Sequence, residues 1–471
     1  MSERRSAFNW QWLVAGILLV ALVAVAVVLN FNFATNKQST STGIDIDNGD
    51  TKISWDNYET YEIELNDSYN ITAPGTYHLT GGISDGEISV KLVDNGVARL
   101  ILDNVSIKNS NGPAIACYSG EDLVIELVGD NLLEDGSKYA SSYDEDVKGA
   151  IYSKADLTFV GDGSLTLKAN YQDGIVSKDD LKINGGTYNI TARDDGIRGK
   201  DSVYVVDGKI EISAGGDGIK STNEEELNKG FVLIVGGKID IIKSYEGLEA
   251  RKIIIDAGEV SIFSNDDGIN AGGGVSTTNN TPGMMDADES CSIAINGGDV
   301  YVNAAGDGLD SNGYLYINGG TLVVDGPTNS GNGALDAGVS IIMNGGTAIA
   351  VGASGMAENL GSNSAIYNIS VFFNSTLSKD TKIEIKDSLN KTIIAHTSAK
   401  TFSHMAAGSG ELKKNETYTI YIDGEKYTTF TISDSTTVVG NNTNMGPGGA
   451  PGNGAPDNGA PDGAGGPRQR R

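Results

Sequence analysis

Asp173-Gly174-Ile175 returns as Asp195-Gly196-Ile197 and again as Asp217-Gly218-Ile219, at a fixed interval of 22 residues. A carboxylate repeated at one interval becomes a row of carboxylates in any fold with the same period, and Glu246, Asp267 and Asp307 continue it. A single Asp-Gly pair is ordinary turn chemistry. Stacked copies need more: two like charges about 4.8 Å apart repel by roughly 1 kcal/mol in water-like surroundings and by about 3.5 kcal/mol at an effective dielectric of about 20. Such a row requires compensation.

The outward position three residues after each acid offers two kinds. In the middle of the row it holds Arg198 and Lys220, with Lys178 and Lys200 two positions further along in neighbouring repeats. This basic stripe can neutralise the row and can also contact a glycan directly. Toward the C-terminal end the position holds Glu249, Asn270, Asp310 and Asp336, which add oxygen donors beside Asp267 and Asp307. Carboxylates, an amide and turn carbonyls on adjacent repeats suit a hard cation of flexible geometry, which outside a cell is Ca²⁺. The candidate metal ligands are therefore Asp267, Asn270, Asp307, Asp310, Asp336 and Glu249. "DGLDSNG" from Asp307 is the densest stretch, although it lacks the twelve-residue loop and closing Glu of an EF-hand. A solvated acidic edge is the competing reading.

Two insertions add candidate surfaces. "EDGSKYASSYDEDVKG" from Glu134 places Tyr139 and Tyr143 on a polar loop, where the rings either cover a sugar face or pack back on the fold. Gly272 to Ser290, with Met284, Met285, Asp286, Asp288 and Glu289, is long enough to fold over the acidic end.

The scaffold that would stack these residues is also legible. The apolar residue two places after each acid runs Ile115, Ile151, Ile175, Ile197, Ile219, Leu248, Ile269, Leu309, Leu335 and, as a tenth rung, Met356. Two places further stand only small residues, from Cys117 and Ser153 to Ser311 and Ala337. Glycine turns of the "NGG" type keep step, and segments such as Gly208-Lys209-Ile210-Glu211-Ile212 alternate with a period of two, which predicts short strands. Strands this short bury their faces only by stacking on their neighbours. The expected fold is all-β: a right-handed single-stranded parallel β-helix of about 22 residues per coil, right-handed because parallel crossovers are. Helices at the same spacing are disfavoured by the β-branched apolar positions and the frequent glycines.

Composition supports this reading. The 471 residues include 63 glycines and only 9 prolines. A net charge of −28 excludes a nucleic-acid partner, which needs a basic footprint. Two cysteines, Cys117 and Cys291, provide no disulfide framework and share inward parity, and His78, His396 and His404 are isolated, structural or merely exposed.

The segments are set by where the period stops. Residues 1–9, with Arg4 and Arg5, read as a cytoplasmic end; 10–33, with an apolar run from Leu13 to Leu29 between Trp10, Trp12 and Phe31, Phe33, read as a transmembrane helix. Cleavage as a signal peptide is the alternative, and both place the remainder of the chain outside the cytoplasm. Residues 34–50 form a linker, 51–365 the β-helix, 366–439 a small C-terminal β module, and 440–471 a disordered Gly/Pro-rich tail.

"LILDNVSIKNSNGPAI" from Leu100, "AIYSKADLTFVGDGSLTL" from Ala150, "DGINAGGG" from Asp267, "AAGDGLDSNG" from Ala304 and "GPTNSGNGALDAG" from Gly326 resemble a bacterial family of extracellular carbohydrate-binding proteins, once grouped as a domain of unknown function. The resemblance runs from about Tyr58 to Ile432. It implies a right-handed parallel β-helix like that of pectate lyases, bound calcium, and affinity without catalysis for cellulose and acidic pectic chains. The calcium expectation falls on Asp307, Asp310 and Asp336, which lie in the matched motifs, and nothing carries over to Tyr139 or Tyr143.

The function expected is a monomeric, cell-surface, non-catalytic polysaccharide binder, with calcium bridging its acids to an acidic glycan. The first alternative is a lyase acting by cation-assisted β-elimination with Lys200 or Lys220 as base. That base would stand several repeats from the cation cluster. The second is a structural adhesin or spacer.

Overall fold

A computed structural model describes residues 53–93, 96–272 and 287–441. The proposed cytoplasmic end, apolar segment, linker and tail, together with Met284, Met285 and Asp286, lie outside the described residues. Within them the protein is all-β apart from a single 3-10 turn at Trp55–Asn57, and no helix is long and apolar enough to cross a membrane.

The chain visits three parallel ladders in turn, repeat after repeat. The first is an 11-stranded sheet from Tyr69–Ile71 to Leu335–Ala337. In it Ile88, Ile115, Ile151, Ile175, Ile197, Ile219, Leu248, Ile269, Leu309 and Leu335 are successive register partners, and all are buried. The small residues from Cys117 to Ala337 form a parallel file two positions on. Both ends of the ladder differ from expectation. The file begins earlier, with Tyr69 paired to Ile88, and Met356 is not a rung: it stands on a turn, 47% exposed and outside the ladder.

The second ladder stacks segments such as Lys252–Ile255, Ser292–Ile295, Tyr314–Ile317 and Ser340–Met343. The third stacks Glu259–Ser264, Asp299–Ala304, Thr321–Asp325 and Thr347–Gly352. The "NGG" turns join the two. Gly320 and Gly346 there adopt φ of +69° and +73°, a region closed to most side chains. Beside them Asn344 donates its amide to Asn318 (2.8 Å), and Asn318 donates to Asn296 (2.7 Å), so the turn sequence repeats because its side chains bond from one repeat to the next. A continuous apolar core fills the space between ladders, with Ile210 and Ile212 inward as the alternation requires.

Beyond Gly352 the direction changes. Phe402–Ser409 pairs antiparallel with Thr347–Gly352 and with Asn368–Leu377. Lys382–Lys386, Thr392–Thr397, Thr417–Ile422 and Glu425–Thr431 form a separate antiparallel sheet over a second core. The histidines hold structural contacts: His78 bridges Glu62 and Asp103, His396 meets the buried Asp325, and His404 bonds Ser370.

Candidate metal and glycan site

The Asp-Gly repeat is explained by how tightly the repeats approach one another. A Cβ on Gly174, Gly196 or Gly218 would lie 2.3 to 2.6 Å from the carbonyl oxygen of the corresponding glycine in the next repeat. The aspartate before each glycine turns inward and is buried. Its Oδ1 accepts the backbone N–H of the following acid: Asp195 donates to Asp173 (3.3 Å), Asp217 to Asp195 (2.9 Å), Glu246 to Asp217 (3.1 Å) and Asp307 to Asp267 (2.6 Å). Backbone amides thus supply part of the compensation that side-chain pairing was expected to supply alone.

The position three residues on forms one file: Arg198, Lys220, Glu249, Asn270, Asp310 and Asp336 are successive register partners. Its basic end neutralises the row. Arg198 Nη1 lies 3.5 Å from Asp173 and 3.6 Å from Asp195, and Lys220 is held by Asp217 and Glu249. Even so, burial and the adjacent carboxylate push Asp173 up to about 7 and Asp195 to about 6.

Lys178 and Lys200 do not join this stripe. Lys178 pairs with Asp146 at 3.2 Å and Lys200 with Asp201 at 3.9 Å, and both stand just after a strand of the first ladder.

Five of the six candidate metal ligands divide into two groups, and Asp336 stands beside Asp310 as its register partner without joining either. Carboxylate oxygens of Asp267, Asp307 and Asp310 lie within 4.8 Å of one another. Burial, then Asp307, Asp336 and Asp267, raises Asp310 to about 8, and burial raises Asp307 to about 7. No lysine or arginine among the described residues pairs with Asp307, Asp310 or Asp336. Glu249 instead joins Asp217 and Glu246 around the Lys220 ammonium. Asn270 belongs with that group too, since its Nδ2 donates to Glu246 at 3.0 Å. Register places Glu249, Asn270, Asp310 and Asp336 in one file, with Asp267 and Asp307 in the acid row three positions before it, but side-chain length and the lysine decide which of them meet.

Glu358 was missed. It lies in the irregular stretch after Gly352, where it bonds the Ala337 backbone, and burial, Asp336 and Asp307 raise it to about 7. No period points to it. A third acid group, Asp156, Asp179 and Asp180, sits at the start of second-ladder strands, and burial and Asp179 push Asp156 up to about 8.

Tyr139 and Tyr143 pack back on the fold. Tyr139 donates to Asp135 (2.8 Å) and to the Gly149 carbonyl (3.0 Å) and stacks on Tyr171, while Tyr143 donates to Glu87 (3.0 Å). Both rings are partly buried against Ala116, Val147, Tyr152 and Val176.

The family described as carbohydrate-binding domain-containing protein matches residues 66–325. A protein of that description from Acetivibrio thermocellus is 45% identical over 197 residues, which cover 41% of this chain and 69% of the relative. A solved structure of a polysaccharide lyase-like protein from C. thermocellum, a gadolinium derivative, is 31% identical, covers 54% of this chain and 95% of its own, and gives a TM-score of 0.42, too low to bear on the fold. On the extent of the family match, which spans over half its length, the chain belongs to the carbohydrate-binding domain-containing protein family.

Proposed function

We propose that this protein is a non-catalytic, calcium-dependent binder of extracellular polysaccharide, held at the cell surface by its N-terminal apolar segment. The ladders are read as successive coils of a right-handed single-stranded parallel β-helix, acting as a monomer. The observation that carries this reading is the convergence of Asp267, Asp307 and Asp310, whose carboxylate oxygens lie within 4.8 Å of one another. Such a set of hard oxygen donors fits Ca²⁺. Asp267, Asp307 and Asp310 would hold the ion, with Asp336 and Glu358 adjacent. The ion supplies positive charge through which a net-acidic protein reaches an acidic glycan.

Catalysis by β-elimination is disfavoured by the state of its candidate bases. Lys220 is enclosed by two carboxylates that raise its affinity for its proton. Lys200 lies four register steps from Asp310, about 19 Å at the strand spacing.

The test is to incubate the purified protein with polygalacturonate gel in calcium and in EDTA, following both retention on the gel and unsaturated product. Retention in calcium alone, without product, is expected. Product would make the protein a lyase, and neither retention nor product would make it a spacer.

A further inference from the structure

The corner that precedes the acid row carries a chemistry of its own. The backbone N–H groups of Asp194, Gly216 and Tyr245 donate to the carbonyls of Gln172, Asp194 and Gly216, at 2.9, 3.1 and 2.6 Å. These residues therefore climb one edge, one per repeat. At the start of that edge Tyr171, Gln172, Arg193 and Asp194 line a hollow of about 330 Å³, within the range of roughly 300–1,000 Å³ in which small molecules bind.

Each wall has a recognisable role. The Tyr171 ring stacks on Tyr139 at 4.3 Å between centroids and 25° between planes, and the two hydrogen bonds of Tyr139 fix that backing ring. Tyr171 is thus a backed, partly exposed aromatic plane. Gln172 Oε1 is buried and accepts no hydrogen bond. Arg193 and Asp194 are exposed, and Arg193 forms no ion pair among the described residues, in a chain whose net charge is −28. A flat ring, an unused acceptor, a free guanidinium and a carboxylate together match a pyranose, which has apolar C–H faces and hydroxyls around its rim.

Charge decides which pyranose. Asp194 stands in the wall with Arg193, and the nearby Asp173 and Asp195 are already paired with Arg198, so the hollow offers a uronate no net positive charge. Above the hollow, Gly215 and Gly216 leave the edge without side chains, and Tyr245, 51% exposed, stands three repeats up from Gln172, about 14 Å away at the strand spacing.

We propose that this edge is a binding track for a neutral glycan, with one sugar seated on Tyr171, hydrogen-bonded by Gln172, Arg193 and Asp194, and with the chain passing over Gly215 and Gly216 to Tyr245. The track rests on the carbohydrate-binding reading but not on calcium. Its Tyr171 end lies five register steps from Asp307, and its Tyr245 end stands beside Asp266.

The test is calorimetric titration of the full-length protein with cellobiose, cellotetraose and tetragalacturonate, each in EDTA and in calcium. Cellotetraose is expected to bind equally in both buffers. Tyr171→Ala and Arg193→Ala should each weaken it tenfold or more, while Tyr171→Phe retains affinity. Tyr245→Ala should weaken cellotetraose but not cellobiose. Arg193 is exposed, so its variant separates lost recognition from lost folding. Four results would overturn the track: no binding of cellotetraose, loss of that binding in EDTA, indifference to both alanine variants, or loss of only tetragalacturonate in Arg193→Ala. Calcium-dependent retention on polygalacturonate would be untouched by the Tyr171 and Arg193 variants, so failure of the track and failure of the calcium reading are separately visible.

Discussion

Lys220 Nζ lies 2.7 Å from Asp217 Oδ2, placing a fixed positive charge among three carboxylates of the kind that converge further along the file on Asp310. The lysine is three-quarters buried. Removing one partner of a largely buried pair leaves the other charge uncompensated. Lys220→Met is expected to lose about 2–3 kcal/mol in EDTA. Part of that loss should return in millimolar calcium, as Asp217, Glu246 and Glu249 become available to the ion. Thermal unfolding in the two buffers measures it, and an equal loss in both would count against calcium entering this group.

Asp310→Asn should act in opposite directions on stability and on metal. Without calcium it removes a carboxyl group whose ionisation is opposed by burial and by Asp307, Asp336 and Asp267, and the unfolding midpoint should rise. Calcium affinity should fall by about tenfold, near 1.4 kcal/mol, because an anionic donor becomes neutral. Calcium titrations of wild type and variant would show it, and unchanged affinity would exclude Asp310 as a ligand.

Asp173 gives a pH signature away from the acidic end. Its folded value, about 7, is above the usual 3.8, so between those limits the folded protein holds a proton that the unfolded chain releases. The associated stability is present at low pH and is lost as pH rises toward 7. Asp173→Asn keeps the Oδ1 acceptor for the Asp195 amide and removes the titration. The variant should be more stable than wild type at pH 8 by about 2 kcal/mol and equal to it at pH 4. Urea midpoints across this range check the sign, and a difference independent of pH would refute it.

Gly196→Ala tests the packing. The added methyl would stand 2.6 Å from the Gly218 carbonyl oxygen and 2.6 Å from an Ile212 methyl. A loss of about 2–4 kcal/mol is expected. Gly331→Ala, whose nearest neighbour would be 3.4 Å away, should cost little. Denaturant unfolding of the pair decides whether Asp-Gly is repeated for close approach or only for the turn.

Much of this was legible because a stacked fold writes its period into the chain. Ile175, Ile197 and Ile219 each meet the same neighbours, so one spacing specified the register of the first ladder. What side chains do once stacked was less legible. The reach of Lys220 to both Asp217 and Glu249, and the inward turn of Asp173 onto the Asp195 amide, depend on torsions that spacing does not encode. Glu358 and the Tyr171 hollow lay further from sight. The first stands where the period has ended, and the second is formed by residues at corners, where adjacent repeats need not carry like residues.

The antiparallel run of Phe402–Ser409 against Thr347–Gly352 has a bearing on solubility. The final strand of a parallel ladder presents amides and carbonyls spaced to accept another copy of itself, which is how fibrils elongate. Here those groups are already engaged by a strand of opposite polarity, so on this side growth is halted and the third ladder ends as a closed edge instead of a seed.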